Sequence, residues 1–92
     1  DADAPILIDF YARWCKPCKQ VTPIFERTAS EFTGKIKFLK VNVDKFYPLS
    51  QSYEIQAMPT VIVLDAKGSI IDRRVGPDEI LDLLQHLDQI GS

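Results

Sequence analysis

Ninety-two residues, 46% apolar and 26% charged, suit one small globular domain with a core but little to spare. A net charge of −2 leaves no electrostatic footprint for nucleic acid, and no apolar run approaches the roughly 20 residues of a membrane span. Two cysteines are too few for a disulfide scaffold, and a bridge closing so short a loop would contribute only about 2 kcal/mol by chain entropy.

The chain opens on Asp1-Ala2-Asp3-Ala4-Pro5, with no starting Met and no signal-peptide pattern. This stretch is expected to be a trimmed, processed or excised N-terminus, with which a targeting segment would be lost. The first predicted strand then runs from about Pro5 to Tyr11. It is nearly continuously apolar, as a strand buried on both faces of a parallel sheet should be. Asp9 interrupts it, and two readings are open: a solvated position near the strand end, or a buried carboxylate with a task.

A helix is predicted from Cys15 or Lys16 to Phe32, because Val21, Ile24, Phe25, Thr28 and Phe32 recur at spacings of three and four. Pro17 falls in its first turn, where a missing N–H costs nothing, and Pro23 falls inside, where it should kink the helix. Gly34 marks the stop. The second strand, Ile36 to Asn42, alternates until Lys40 breaks the apolar series. Lys40 is the basic counterpart of Asp9 if the two strands are neighbours, as parallel strands joined by a helix usually are. Asp44 ends the strand, and Phe46-Tyr47-Pro48 leads into a short helix, about Leu49 to Tyr53.

Met58-Pro59-Thr60 opens the third strand, Thr60 to Asp65, and Ala66-Lys67-Gly68 is a hairpin turn signal. The fourth strand, Ser69 to Val75, is edge-like through Asp72, Arg73 and Arg74. Gly76-Pro77-Asp78 starts the last helix, about Pro77 to Gln89, with Ile80, Leu83, Leu84 and Leu87 as its buried stripe. There is no repeat, linker or low-complexity segment. The order β-α-β-α-β-β-α predicts an α/β fold: a mixed sheet with helices on both faces.

The chemistry concentrates in Trp14-Cys15-Lys16-Pro17-Cys18, which holds both cysteines at a strand-to-helix junction. There the first sulfur meets the first-turn N–H groups and the positive end of the helix dipole, which stabilise a thiolate. The second sulfur, one turn on, can reach back to it. Zinc needs four ligands, and two cysteines supply half a site. The single histidine, His86, lies far off in sequence on the polar side of the last helix, so no metal is expected within one chain.

These residues resemble the thioredoxin family over essentially the whole chain. The resemblance rests on Phe10-x-Ala12-x-Trp14-Cys15-x-Pro17-Cys18-Lys19, on Pro23, on Val41-Asn42-Val43-Asp44, on Met58-Pro59-Thr60 and on Val75-Gly76. It implies the thioredoxin fold, with a central four-stranded mixed sheet over residues 1–92. It also implies a protein disulfide oxidoreductase in which Cys15, the more exposed sulfur, attacks a substrate disulfide and Cys18 resolves the mixed disulfide. Asp9 then becomes the family's buried acid behind Cys18, paired with Lys40 and relaying its proton. The Met58-Pro59 bond is implied to be cis. Substrate contact falls to Trp14, Lys16, Pro17, Met58, Pro59, Thr60 and Gly76, and Arg13, Lys16 and Lys19 form a mildly basic rim.

The implied partners are disulfide-containing protein substrates and a thioredoxin reductase or other dithiol donor, with no cofactor beyond a redox-active Cys15–Cys18 disulfide. A cytoplasmic monomer or weak dimer is the expectation, or a protein of an organelle matrix once a targeting segment is lost. The sequence departs from the family in four places. The family's usual first strand and helix have no counterpart, which would leave apolar sheet surface uncovered. Lys16 stands where thioredoxins proper usually carry Gly, Tyr11 stands where Trp is common, and the turn at Lys67-Gly68 is one residue longer. Two other functions stay open: a docking module with incidental thiols, and an oxidase or isomerase of an oxidising compartment.

Overall fold

The computed structural model describes residues 3–89. The elements follow in the order β1 (Ile6–Tyr11), α1 (Cys18–Glu31), β2 (Lys37–Asn42), α2 (Tyr47–Ser52), β3 (Thr60–Leu64), β4 (Ile70–Val75) and α3 (Pro77–Gln85), with a 3-10 turn at Leu87–Gln89. The four strands form one sheet in the order β2-β1-β3-β4. β1 runs parallel to β2 and antiparallel to β3, and β3 runs antiparallel to β4. The mixed sheet expected from the sequence is therefore present.

The alternation of β1 divides the core in two, because successive side chains point to opposite faces. On one face Leu7 packs with Val21 and Phe25 of α1, Val61 and Val63 of β3, and Ile80, Leu83 and Leu84 of α3. On the other, Ile8 and Phe10 pack with Ile62, Leu64, Cys15 and Cys18, and Tyr53, Ile55 and Met58 close over them. Phe25 meets Phe38 edge-on, with ring centroids 5.2 Å apart, and Phe10 tilts against Tyr53 at 5.6 Å.

Three helix boundaries differ by more than one residue from the sequence reading. α1 begins at Cys18, not at Cys15 or Lys16. The preceding residues close i+3 turns instead, Lys19 N–H to the Lys16 carbonyl and Gln20 N–H to that of Pro17, and Pro17, with no N–H, serves as the N-cap. α2 starts two residues earlier than expected, at Tyr47, because Pro48 fits the first turn of a helix. α3 stops at Gln85, and the 3-10 turn beyond it still buries Leu87.

The hairpin between β3 and β4 is held by Asp65, whose carboxylate accepts the N–H groups of Lys67 and Ser69 at 2.9 Å each. β2 and β4 form the two edges of the sheet among the described residues. Large apolar side chains are exposed at both: Leu39 (42% exposed) on β2, Ile70 and Ile71 on β4.

Candidate active site

The strand registers gather one end of the sheet. Tyr11 pairs with Asn42, Phe10 with Thr60, and Thr60 with Val75. The C-terminal ends of β1, β2 and β4 therefore lie beside the start of β3. In open α/β sheets this is where loops converge into a binding crevice. Four loops meet here: Ala12–Pro17, Val43–Phe46, Ala57–Pro59 and Gly76.

Cys15 and Cys18 are joined by a disulfide, with Cα atoms 5.4 Å apart. The Cys18 N–H, the first of α1, points at Cys15 Sγ at 3.2 Å. A sulfur thus occupies the place a capping oxygen would take, at the positive end of the helix. Cys15 was expected to be the more exposed sulfur, but both residues are buried in this oxidised state, at 5% and 3% exposure. The turn closed by Cys15 N–H on the Ala12 carbonyl folds the loop over them.

Around the sulfurs stand the other residues singled out from the sequence. Trp14 is 66% exposed, and its indole N–H donates to the Asp44 carboxylate at 3.0 Å. Asp44 is itself placed by Asn42, whose side-chain oxygen accepts the Asp44 and Lys45 N–H groups at 2.9 and 3.3 Å. Between Trp14, Val43, Tyr47, Ile55 and Met58 lies a cleft of about 220 Å³. The Met58-Pro59 bond is cis, as the resemblance implied, and Met58 packs against the cluster that holds both cysteines. Gly76 donates its N–H to the Pro59 carbonyl at 2.9 Å and, with Pro17, lines a second cleft. Thr60 is buried, with its hydroxyl on the Ala57 carbonyl. Lys16 is exposed.

Asp9 is not a solvated strand end. It is 1% exposed, and its Oδ1 has no hydrogen-bond partner. Burial raises its carboxyl from the ordinary 3.8 to about 6, and the positive charge of Lys40 offsets only part of that. The expected Asp9–Lys40 pair is not formed. The two residues are neighbours in register, but the Lys40 ammonium binds Glu26 Oε2 of α1 at 2.9 Å and lies 5.1 Å from the centre of the Tyr11 ring. An exposed carboxylate on the helix holds the long lysine side chain at less desolvation cost than the buried one would. The sequence singles out Asp44 as the end of a strand but not as the partner of Trp14, and it does not single out Glu26 at all. The lone base in an apolar strand signalled that Lys40 has a partner, but not which one.

Among the described residues, no three His, Cys, Asp or Glu side chains group as a metal site would require, and no helix is long and apolar enough to cross a membrane. His86 caps the end of α3, with Nδ1 2.7 Å from the Asp82 carbonyl oxygen.

Comparison with known proteins places this geometry among relatives. The thioredoxin family model matches residues 1–89. The chain is 37% identical to the thioredoxin of Rickettsia felis over 89 residues, covering 97% of this chain and 84% of that one. It is equally 37% identical to thioredoxin 1 of a Nostoc species, over 97% of this chain and 82% of that one. Among solved structures, the thioredoxin of Malassezia sympodialis superposes with a TM-score of 0.87 at 36% identity, covering 98% of this chain and 77% of that one.

Proposed function

The chain belongs to the thioredoxin family and is a thiol–disulfide oxidoreductase, and from that premise we propose that residues 1–92 act as one domain reducing protein disulfides. The observation that carries this reading is the Cys18 N–H aimed at Cys15 Sγ at the start of α1. A negative charge on Cys15 is stabilised there, at the sulfur the first N–H of α1 addresses. Cys15 is thus the nucleophile and Cys18 the resolving thiol.

In the reduced protein the Cys15 thiolate attacks one sulfur of a substrate disulfide. A Cys15–substrate bond forms, the substrate S–S bond breaks, and one substrate thiolate leaves. Cys18 then gives its proton to the Asp9 carboxylate and attacks Cys15 Sγ. The Cys15–Cys18 bond forms as the mixed disulfide breaks, and the second substrate thiolate leaves. The substrate gains two electrons and the protein loses two, ending in the disulfide form seen here. A general base works best with a pKa near the working pH, and a carboxyl raised to about 6 by burial suits that task.

Trp14, Lys16, Pro17, Met58 and Gly76 make the surface on which substrate rests, and the buried Pro59 and Thr60 support it from behind. Their support is position: the two clefts flanking the disulfide are lined by Trp14 and Met58 on one side and by Pro17 and Gly76 on the other. No cofactor is required, since the electrons travel on the two sulfurs. A dithiol donor, of which a thioredoxin reductase is the family default, returns them. The setting is a reducing compartment, the cytoplasm or an organelle matrix.

The test is the reduction potential of the Cys15–Cys18 pair against a dithiol buffer. A value near about −270 mV, characteristic of thioredoxins, supports the reductase. A value nearer about −120 to −180 mV makes it an oxidant or isomerase, and a pair that does not exchange makes it a docking module.

A further inference from the structure

The Asp9 carboxyl lies on the face of β1 that α1 covers, since it shares side-chain parity with Leu7. The charged and titratable groups that share this face are few. β1 adds Tyr11 and β2 adds Lys40. α1 adds Glu26; Cys18 opens the same helix and packs with the cluster of the opposite face. β3 and α3 face it with Val61, Val63, Ile80 and Leu83, which carry no charge. Among the described residues Lys40 is therefore the one cation in position to stabilise an ionised Asp9, and it is also the group that Glu26 holds at 2.9 Å.

We propose that Glu26 is a positioning residue for the exchange reaction: by binding the Lys40 ammonium it withholds that charge from Asp9 and so keeps Asp9 a strong enough base to take the proton of Cys18. Two effects act together. The ion pair fixes the ammonium at the helix side and leaves Asp9 Oδ1 unpartnered. The Glu26 carboxylate also turns an isolated positive charge into a dipole, whose field falls off faster with distance. The cation–π contact with Tyr11 favours the same lysine position. Without Glu26, Lys40 would be free to swing toward its register neighbour, and a carboxylate next to a cation holds its proton less tightly. Glu26 is 58% exposed, so its removal leaves no cavity and the fold should survive.

The inference rests on Asp9 serving as the base, and the experiment separates the two. The titration of the Asp9 carboxyl carbon is followed by NMR in the full chain for Glu26→Gln, for Lys40→Met and for the double variant. The pH dependence of single-turnover substrate reduction is measured on the same proteins. In Glu26→Gln the Asp9 midpoint and the acidic limb of the rate should both move to lower pH, by about half a pH unit or more. At neutral pH the rate should fall, because the weaker base accepts the proton less readily. On the Lys40→Met background the same substitution should move neither, since Glu26 acts only through Lys40. An unmoved midpoint in Glu26→Gln, or an equal displacement in both backgrounds, would overturn the proposal. If the midpoint moves as expected while Asp9→Asn leaves the acidic limb in place, the positioning stands and it is the base assignment that falls.

Discussion

Trp14 and Asp44 are joined across thirty residues: the indole N–H donates to the Asp44 carboxylate at 3.0 Å while the ring lies open to solvent beside the disulfide. An exposed aromatic that is tethered at one edge presents a fixed face to a partner. It has already given up the motion that binding would otherwise take from it.

Asp44→Ala should therefore weaken substrate engagement more than the fold. A single exposed hydrogen bond to a charged group contributes about 1 kcal/mol, so kcat/KM for a protein disulfide should fall roughly five-fold. The melting temperature should shift by a few degrees at most. Steady-state kinetics and a thermal melt on the same variant check both. An unchanged kcat/KM would mean that the indole finds its pose without Asp44.

Asp9 makes stability depend on pH with a definite sign. Its folded-state pKa is raised, from 3.8 to about 6, so the buried carboxyl is tolerated best when protonated. Its contribution is full below about 3.8 and is lost as the pH rises through about 6, after which an ionised group sits in the core. The interval corresponds to about 3 kcal/mol. Asp9→Asn, which cannot ionise, should unfold at higher denaturant than the parent at pH 8, and the difference should shrink toward zero near pH 4. Urea unfolding at a series of pH values measures it, and a difference independent of pH would sink the assignment.

The parts of this molecule legible in the sequence are those written in local pattern. The nearly continuous apolar run of β1, the spacing of Val21, Phe25 and Thr28, and the Ala66-Lys67-Gly68 turn each act over a few residues, and each lies where expected. The cysteine pair was legible because its chemistry needs both sulfurs within one helical turn. Asp9 stood out as a charge in a buried strand, and its fate hinged on what lies above the sheet. Lys40 was matched to Asp9 by strand adjacency, which is correct in register, but the ammonium sits several bonds from the backbone and follows the helix surface. Which residue of α1 reaches it depends on how α1 is rotated over the sheet, a consequence of packing Val21 and Phe25. The same holds for Trp14 and Asp44, brought together only when the ends of β1 and β2 align.

Gly76 links the two halves of the site and does so in a backbone conformation suited to glycine. Its φ is 91° and ψ 158°, a region nearly closed to other residues, and its N–H is committed to the Pro59 carbonyl at 2.9 Å. A Cβ built there would meet nothing within 4 Å, so the cost of Gly76→Ala is conformational alone, about 1–3 kcal/mol. The variant should be destabilised by that amount in urea unfolding. If the backbone instead relaxes to a negative φ, the bond to Pro59 is given up, and activity should fall further than stability accounts for.

Removing the Lys16 charge would separate what side-chain charge gives a Cys15 thiolate from what the backbone gives it. The Cys18 N–H and the helix end act on Cys15 Sγ at short range and are little affected by salt. The Lys16 ammonium is exposed, so its field is screened within about 10 Å at 0.1 M salt. Lys16→Gln keeps the length of the side chain and removes only the charge. At low ionic strength it should lower the thiolate fraction of reduced Cys15 at neutral pH, read by ultraviolet absorbance, by less than about two-fold. Near 1 M salt the variant and the parent should coincide, because the charge is then screened within about 3 Å. A difference that persists at high salt would mean that Lys16 acts by shaping the loop between the cysteines. No difference at either salt would leave the backbone as the whole source of thiolate stability and confine Lys16 to contact with partners.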